Sequence, residues 1–236
     1  MFSEKEESNI KEYPDCDQEP KETKDLIFLY PKEFKRDPQK TINELQEMYD
    51  LLCQLTDLNP VKKNKSRIPI GFYKCKNPCT SGSPNNRIYI PWKRLSGHDE
   101  PQHGCTHELV HPFARISNLF TGENKVWEES FCDFLRGILK NHIGQDGIGC
   151  WKKQVKNAEE RKNNRSYTGA GQFILDAKRI LCNDNLINDE FIREFIYDFD
   201  KLKEYIQLLL NEYSSMPIHK RNGFFLTDKM EKKLKK

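Results

Sequence analysis

Residues 106–111 read Thr-His-Glu-Leu-Val-His, so His107, Glu108 and His111 form the pattern H-E-x-x-H. On a helix, residues four apart leave the same face, and both imidazoles can reach one metal ion. Glu108 is turned by about 100° from His107. That takes it out of line as a ligand and sets it beside a metal-bound water, where a general base belongs. Zinc in such a site takes three protein ligands and keeps a fourth position for water. A third histidine in the pattern H-E-x-x-H-x-x-G-x-x-H is excluded, because the chain has Ala114 and Ser117 where glycine and histidine are needed. The alternative is an acid on the next helical segment, where Glu128, Glu129 and Asp133 fall. Glu129 and Asp133 share a face, whereas Glu128 lies nearer the apolar side of Phe131 and Leu135. Glu129 is therefore assigned as third ligand. Asp133, one turn on, is assigned as the acceptor for the second ring nitrogen of a ligating imidazole. Glu128 reads as an acid at a helix start.

The elements around this segment follow from periodicity. The apolar run at 26–30 predicts a buried strand stopped by Pro31. Asp37-Pro38 starts a helix. Ile42, Leu45, Met48, Leu52 and Leu55 carry it to about Leu58, before Asn59-Pro60 ends it. A second strand is predicted at 68–73, a loop at 77–86, and an edge strand at 87–91, where Arg-Ile-Tyr-Ile-Pro alternates and Pro91 suits an edge. From Gly104 onward the pattern is helical, with helices expected near 103–118, 125–141, 170–182, 188–197 and 199–213. Residues 152–165 read as a charged linker or a frayed helix. The order predicts an α+β fold: a small mixed sheet with an active-site helix, then a mainly helical C-terminal half.

With these residues in place, the chain resembles the gluzincin metallopeptidases. The run Glu129-Ser-Phe-Cys-Asp-Phe-Leu-Arg136 is similar to the E-G-x-A-D-Y-x-R segment of the basic secretory protein-like peptidases, with Ser130 in place of its glycine. The resemblance spans about residues 26–182 and is strongest over 104–136. It implies a zincin-like sheet and one Zn2+ per chain on His107, His111 and Glu129. It also implies that Glu108 serves as general base in the hydrolysis of a peptide or protein substrate. In that family the edge strand pairs with an extended substrate, which puts Ile88, Tyr89 and Ile90 beside the peptide. Tyr167-Thr-Gly-Ala-Gly is similar to the Tyr-x-x-Gly-Ala segment of gluzincin aminopeptidases, which implies that Tyr167 stabilises the oxyanion. No Gly-x-Met-Glu-Asn-type segment precedes the helix, so an endopeptidase is expected. Pro112 departs from the family. It removes a backbone donor and disfavours helical dihedrals at His111, so a kink or an early helix end is expected there.

The 236 residues suit one domain without disulfide staples. The net charge of +3 is no nucleic-acid footprint. Residues 1–25 hold nine acids and four bases, and residues 217–236 seven bases and two acids. These ends read as a mobile acidic leader (1–24) and a basic tail (216–236). The single domain lies between them (25–215), with a sheet-containing half (25–118) and a helical half (119–215). No apolar run reaches the ~20 residues of a membrane span, and the first residues do not form a secretory signal. A cytoplasmic monomer with reduced thiols is therefore expected. Two alternatives remain. One is a structural zinc module on Cys75, Cys79, His98 and His103, although its 18-residue middle spacing exceeds the usual ~12. The other is a zincin-like binding protein inactivated by Pro112.

Overall fold

Leu26, Ile27, Phe28 and Leu29 are all fully buried, as a strand covered on both faces requires. The computed structural model describes residues 3–73, 79–80, 86–91, 101–117, 125–160, 165–182 and 189–214, without the side chains of 9, 101–103, 125–127, 165–167, 180, 182, 189 and 212–214. Two compact units emerge, one of Met1–Cys53 with Leu58–Ile116, the other of Gln54–Asp57 with Ser117–Lys236. Together they have the α+β arrangement expected, a zincin-like mixed sheet followed by helices.

The first unit begins with helix α1 (Glu4–Ile10) and holds five strands: β1 (Lys21–Glu22), β2 (Leu26–Leu29), β3 (Ile68–Tyr73), β4 (Cys79–Thr80) and β5 (Ile88–Pro91). Their order is β1-β2-β3-β5-β4. β2, β3 and β5 are parallel, with β1 and β4 antiparallel at the two sides. Helix α2 (Pro38–Thr56) makes the crossover from β2 towards β3. Asp37 caps it, accepting from the Gln39 N–H at 2.8 Å. Its buried stripe is the one the spacing predicts: Ile42, Leu45, Met48, Leu52 and Leu55. Asn59-Pro60 does more than end α2. It also starts the short helix α3 (Pro60–Asn64), with Asn59 as N-cap.

Residues 3–24, expected as a mobile leader, are part of this unit. Tyr13 is 2 % exposed and donates from its hydroxyl to the Ile88 carbonyl at 2.8 Å. Its ring lies against Tyr89, with centroids 5.2 Å apart. Gly71 makes room for it, since a Cβ there would stand 2.6 Å from the ring. Glu6 holds Arg67 through a 2.9 Å bond to Nε. The Arg67 guanidinium lowers its carboxyl pKa to about 2. Acidic composition hid the apolar residues Ile10, Tyr13 and Cys16 that cover the sheet face of Ile27 and Leu29.

The second prominent difference is at the sheet edge. β5 was expected there, but β4 pairs with it on the far side from β3. Ile88 and Ile90 are completely buried, and Tyr89 packs between Tyr13 and Tyr73. Of the trio assigned to substrate, Ile88 and Ile90 therefore lie in the core and Tyr89 is half-buried.

The second unit is helical: α6 (Lys125–His142), α7 (Gly147–Glu159), α8 (Arg165–Cys182), α9 (Asp189–Tyr197) and α10 (Phe199–Ser214). Much of the stretch 152–165 is thus regular helix, entered from Asp146, whose side chain accepts from the Gly149 N–H. Phe134 stacks on Trp151 at 5.2 Å and 10°. Phe173, Phe195 and Tyr205 extend the aromatic core. Gly137 is required where Trp151 crosses α6, because a Cβ would run into the indole. Residues 216–236 lie outside the described residues.

Candidate metal centre

Helix α4 (Pro101–Glu108) packs on β5 and carries His107 and Glu108. Cys105 and Thr106, just before them, are fully buried, as are Leu109 and Val110 just after. The predicted single helix 103–118 is broken. α4 stops at Glu108, Leu109 and Val110 form a turn, and α5 (His111–Ile116) begins. Pro112 explains the break. A residue at 112 would normally donate its N–H to the carbonyl of Glu108, four residues back, and proline has none. The chain tightens instead, with Val110 N–H donating to the His107 carbonyl at 3.1 Å, an i to i−3 bond. α5 is anchored beyond the break by Phe113, whose ring meets Tyr49 of α2 at 5.1 Å. Lys63 of α3 donates to the Ile116 carbonyl at 2.9 Å at the far end of α5.

The break leaves the two imidazoles together. Their ring centroids are 5.1 Å apart at 72°, and their ligand nitrogens approach within 4.8 Å. One zinc held by two imidazoles at about 2.0–2.1 Å each needs nitrogens roughly 3.3 Å apart. Glu108 is 7 % exposed, and its Oε2 lies 3.8 Å from His111 Nε2. The motif therefore builds what its spacing predicts: two imidazoles close enough to share a metal ion, with a buried carboxylate beside them. Such a donor set fits a zinc ion.

A residue the sequence reading did not single out completes this arrangement. Thr80 of β4 places its Oγ1 2.8 Å from Glu108 Oε2 and 3.1 Å from the Glu108 carbonyl oxygen. Arg115 of α5 in turn donates to the Thr80 carbonyl at 3.5 Å. Only the proline at 112 hinted that the Glu108 carbonyl would need a donor from elsewhere.

Comparison with protein-family models, with curated proteins and with solved structures yields no match. The reading rests on the residues themselves.

In the second unit, α6 carries the acids proposed for the metal. Glu128 and Glu129 are both half-buried, so burial does not rank them. Asp133 is buried and lies 3.6 Å from Arg136 on its own helix. Cys132 is fully buried on the same helix. Tyr167 sits in the first turn of α8, and its side chain is outside the described residues. Of the alternative zinc module, Cys79 lies exposed on β4 and His103 is in the first turn of α4, while Cys75 and His98 lie outside the described residues. Among the described residues, no helix is long and apolar enough to cross a membrane.

Proposed function

We propose that the chain is a zinc-dependent peptidase of gluzincin type that cleaves internal peptide bonds. The observation that carries this reading is the Glu108 carboxylate, buried and 3.8 Å from His111 Nε2, beside the His107–His111 pair. His107 and His111 would hold the ion, and α6 would supply the third ligand. Glu129 is the choice from the family resemblance. Cys132 is its rival, since a buried thiol offers thiolate, a common zinc ligand. Zinc, when bound, would acidify a water and polarise the scissile carbonyl. Glu108 would accept the water's proton and pass it to the leaving amine. Tyr167 would donate to the oxyanion, and Asp133 would accept from a ligating imidazole. Ile88, Tyr89 and Ile90 are not carried forward as substrate residues. Among the described strands the edge next to the motif is β4, and an extended peptide would add there.

The test is turnover of a mixed peptide library by zinc-loaded protein and by Glu108→Gln. The reading expects internal cleavage, a rate lower by roughly 10²–10⁴-fold in the variant, and zinc retained in both. Equal rates in the two proteins would overturn it.

A further inference from the structure

We infer that Thr80 is a positioning residue for Glu108, holding the general base while repairing the helix end that Pro112 creates; the inference rests on the peptidase reading above. Three observations meet at this one hydroxyl. First, Pro112 deprives the Glu108 carbonyl of its helical donor, and Thr80 Oγ1 is the donor the structure places against it at 3.1 Å. Second, the same oxygen is 2.8 Å from Glu108 Oε2. A hydroxyl has one proton, so the two acceptors share it, and the nearer, charged carboxylate takes the larger part. Third, Thr80 itself is fixed. It pairs with Ile88 across the β4–β5 ladder, and its carbonyl accepts from Arg115.

The consequence is directional. Glu108 Oε2 is the oxygen that faces both His111 Nε2 and Thr80. Holding Oε2 restrains how the carboxylate turns beside the histidine pair. A base on a helix that ends at its own residue would otherwise swing about its side-chain torsions. Here the edge strand, which reaches the helix at this residue, sets its aim. The strand that would receive a peptide and the group that would take the proton are thereby joined by one hydrogen bond.

Thr80→Val is nearly isosteric and keeps the branched side chain a strand favours. It is expected to lower kcat roughly 10- to 100-fold, the effect of losing one charge-assisted bond, with KM and zinc content unchanged. Thr80→Ser keeps the hydroxyl and is expected to stay near wild type. The decisive variant is Pro112→Ala combined with Thr80→Val. Alanine returns the donor to the Glu108 carbonyl, so thermal stability recovers in part while kcat stays low, because the carboxylate is still unheld. A readout independent of turnover is the affinity of zinc-loaded protein for acetohydroxamate. It should weaken in Thr80→Val and in Glu108→Gln, and no further when those two substitutions are combined. If wild type turns over peptides and Thr80→Val matches it in kcat and hydroxamate affinity, this inference falls and the peptidase reading stands. If the combined variant regains kcat along with stability, Thr80 is only a helix cap and the inference falls again. If wild type neither binds zinc nor cleaves peptide, both fall together.

Discussion

Helix α6 and the pair α4–α5 each carry two proposed site residues four apart, Glu129 and Asp133 on one, His107 and His111 on the other, yet only α6 runs unbroken between them. In both, a side chain from another element reaches a helix carbonyl. On α6, the Phe134 carbonyl accepts from Trp151 Nε1 at 2.9 Å, and the Asp133 carbonyl from Gln154 Nε2 at 2.8 Å. The residues four beyond, Ile138 and Gly137, keep their N–H groups, so those bonds supplement a complete ladder. On α4, Pro112 removes the ladder bond, and the Thr80 hydroxyl replaces it. The same kind of contact is thus an addition in one place and a substitution in the other. The difference teaches that helical spacing predicts which groups meet, while the backbone accounting around a proline predicts what else must come to meet them.

Removing the packing that lets α6 run unbroken past its neighbour should cost most. Gly137→Val puts a branched side chain where the buried Trp151 indole crosses, and an overpacked core site costs up to about 3 kcal/mol. Chemical denaturation should show that loss, and an unchanged midpoint would contradict the close α6–α7 crossing. The replaced bond on α4 ranks next. Thr80→Val leaves a buried carbonyl without its donor and should destabilise by roughly 1–2 kcal/mol. Part of that, the carbonyl's share, should return in the Pro112→Ala background, as read from the difference between the two unfolding midpoints. An equal cost in both backgrounds would mean that proline is not the reason Thr80 is needed. The supplementary bond on α6 should matter least. Gln154→Met loses a donor to an already bonded carbonyl and also removes Oε1, which is buried without a hydrogen-bond partner among the described residues. Its effect should stay below about 1 kcal/mol. A larger loss would show that the Asp133 carbonyl depends on its side-chain donor as the Glu108 carbonyl does.

Much of the frame was legible because its signals are local. The strand at Ile68–Tyr73 and the buried stripe of α2 follow from periodicity alone. The helix break followed from Pro112, and the pairing of His107 with His111 from their spacing. β4 was not legible. Two residues have no period, and Cys79 and Thr80 sit in a stretch whose Ser, Gly, Pro and Asn read as loop. Missing β4 meant missing both the edge of the sheet among the described strands and Thr80. The N-terminal segment failed for a different reason. Nine acids among its 25 residues dominate its composition, but its placement is decided by Tyr13 and by the uncovered sheet face it fills, a tertiary demand that composition does not carry. On α6, helical face alone separates Glu129 from Glu128, and a buried thiol such as Cys132 carries no sequence signal that tells a ligand from core.

The central claim is that His107 and His111 hold one zinc ion beside Glu108. It is tested most directly by counting zinc per chain with elemental mass spectrometry, in wild type, His107→Ala, His111→Ala and Cys79→Ser. The prediction is one zinc in wild type and in Cys79→Ser, and none in either histidine variant. Wild type that takes up no zinc when offered it, or zinc that survives the loss of both histidines, would contradict it.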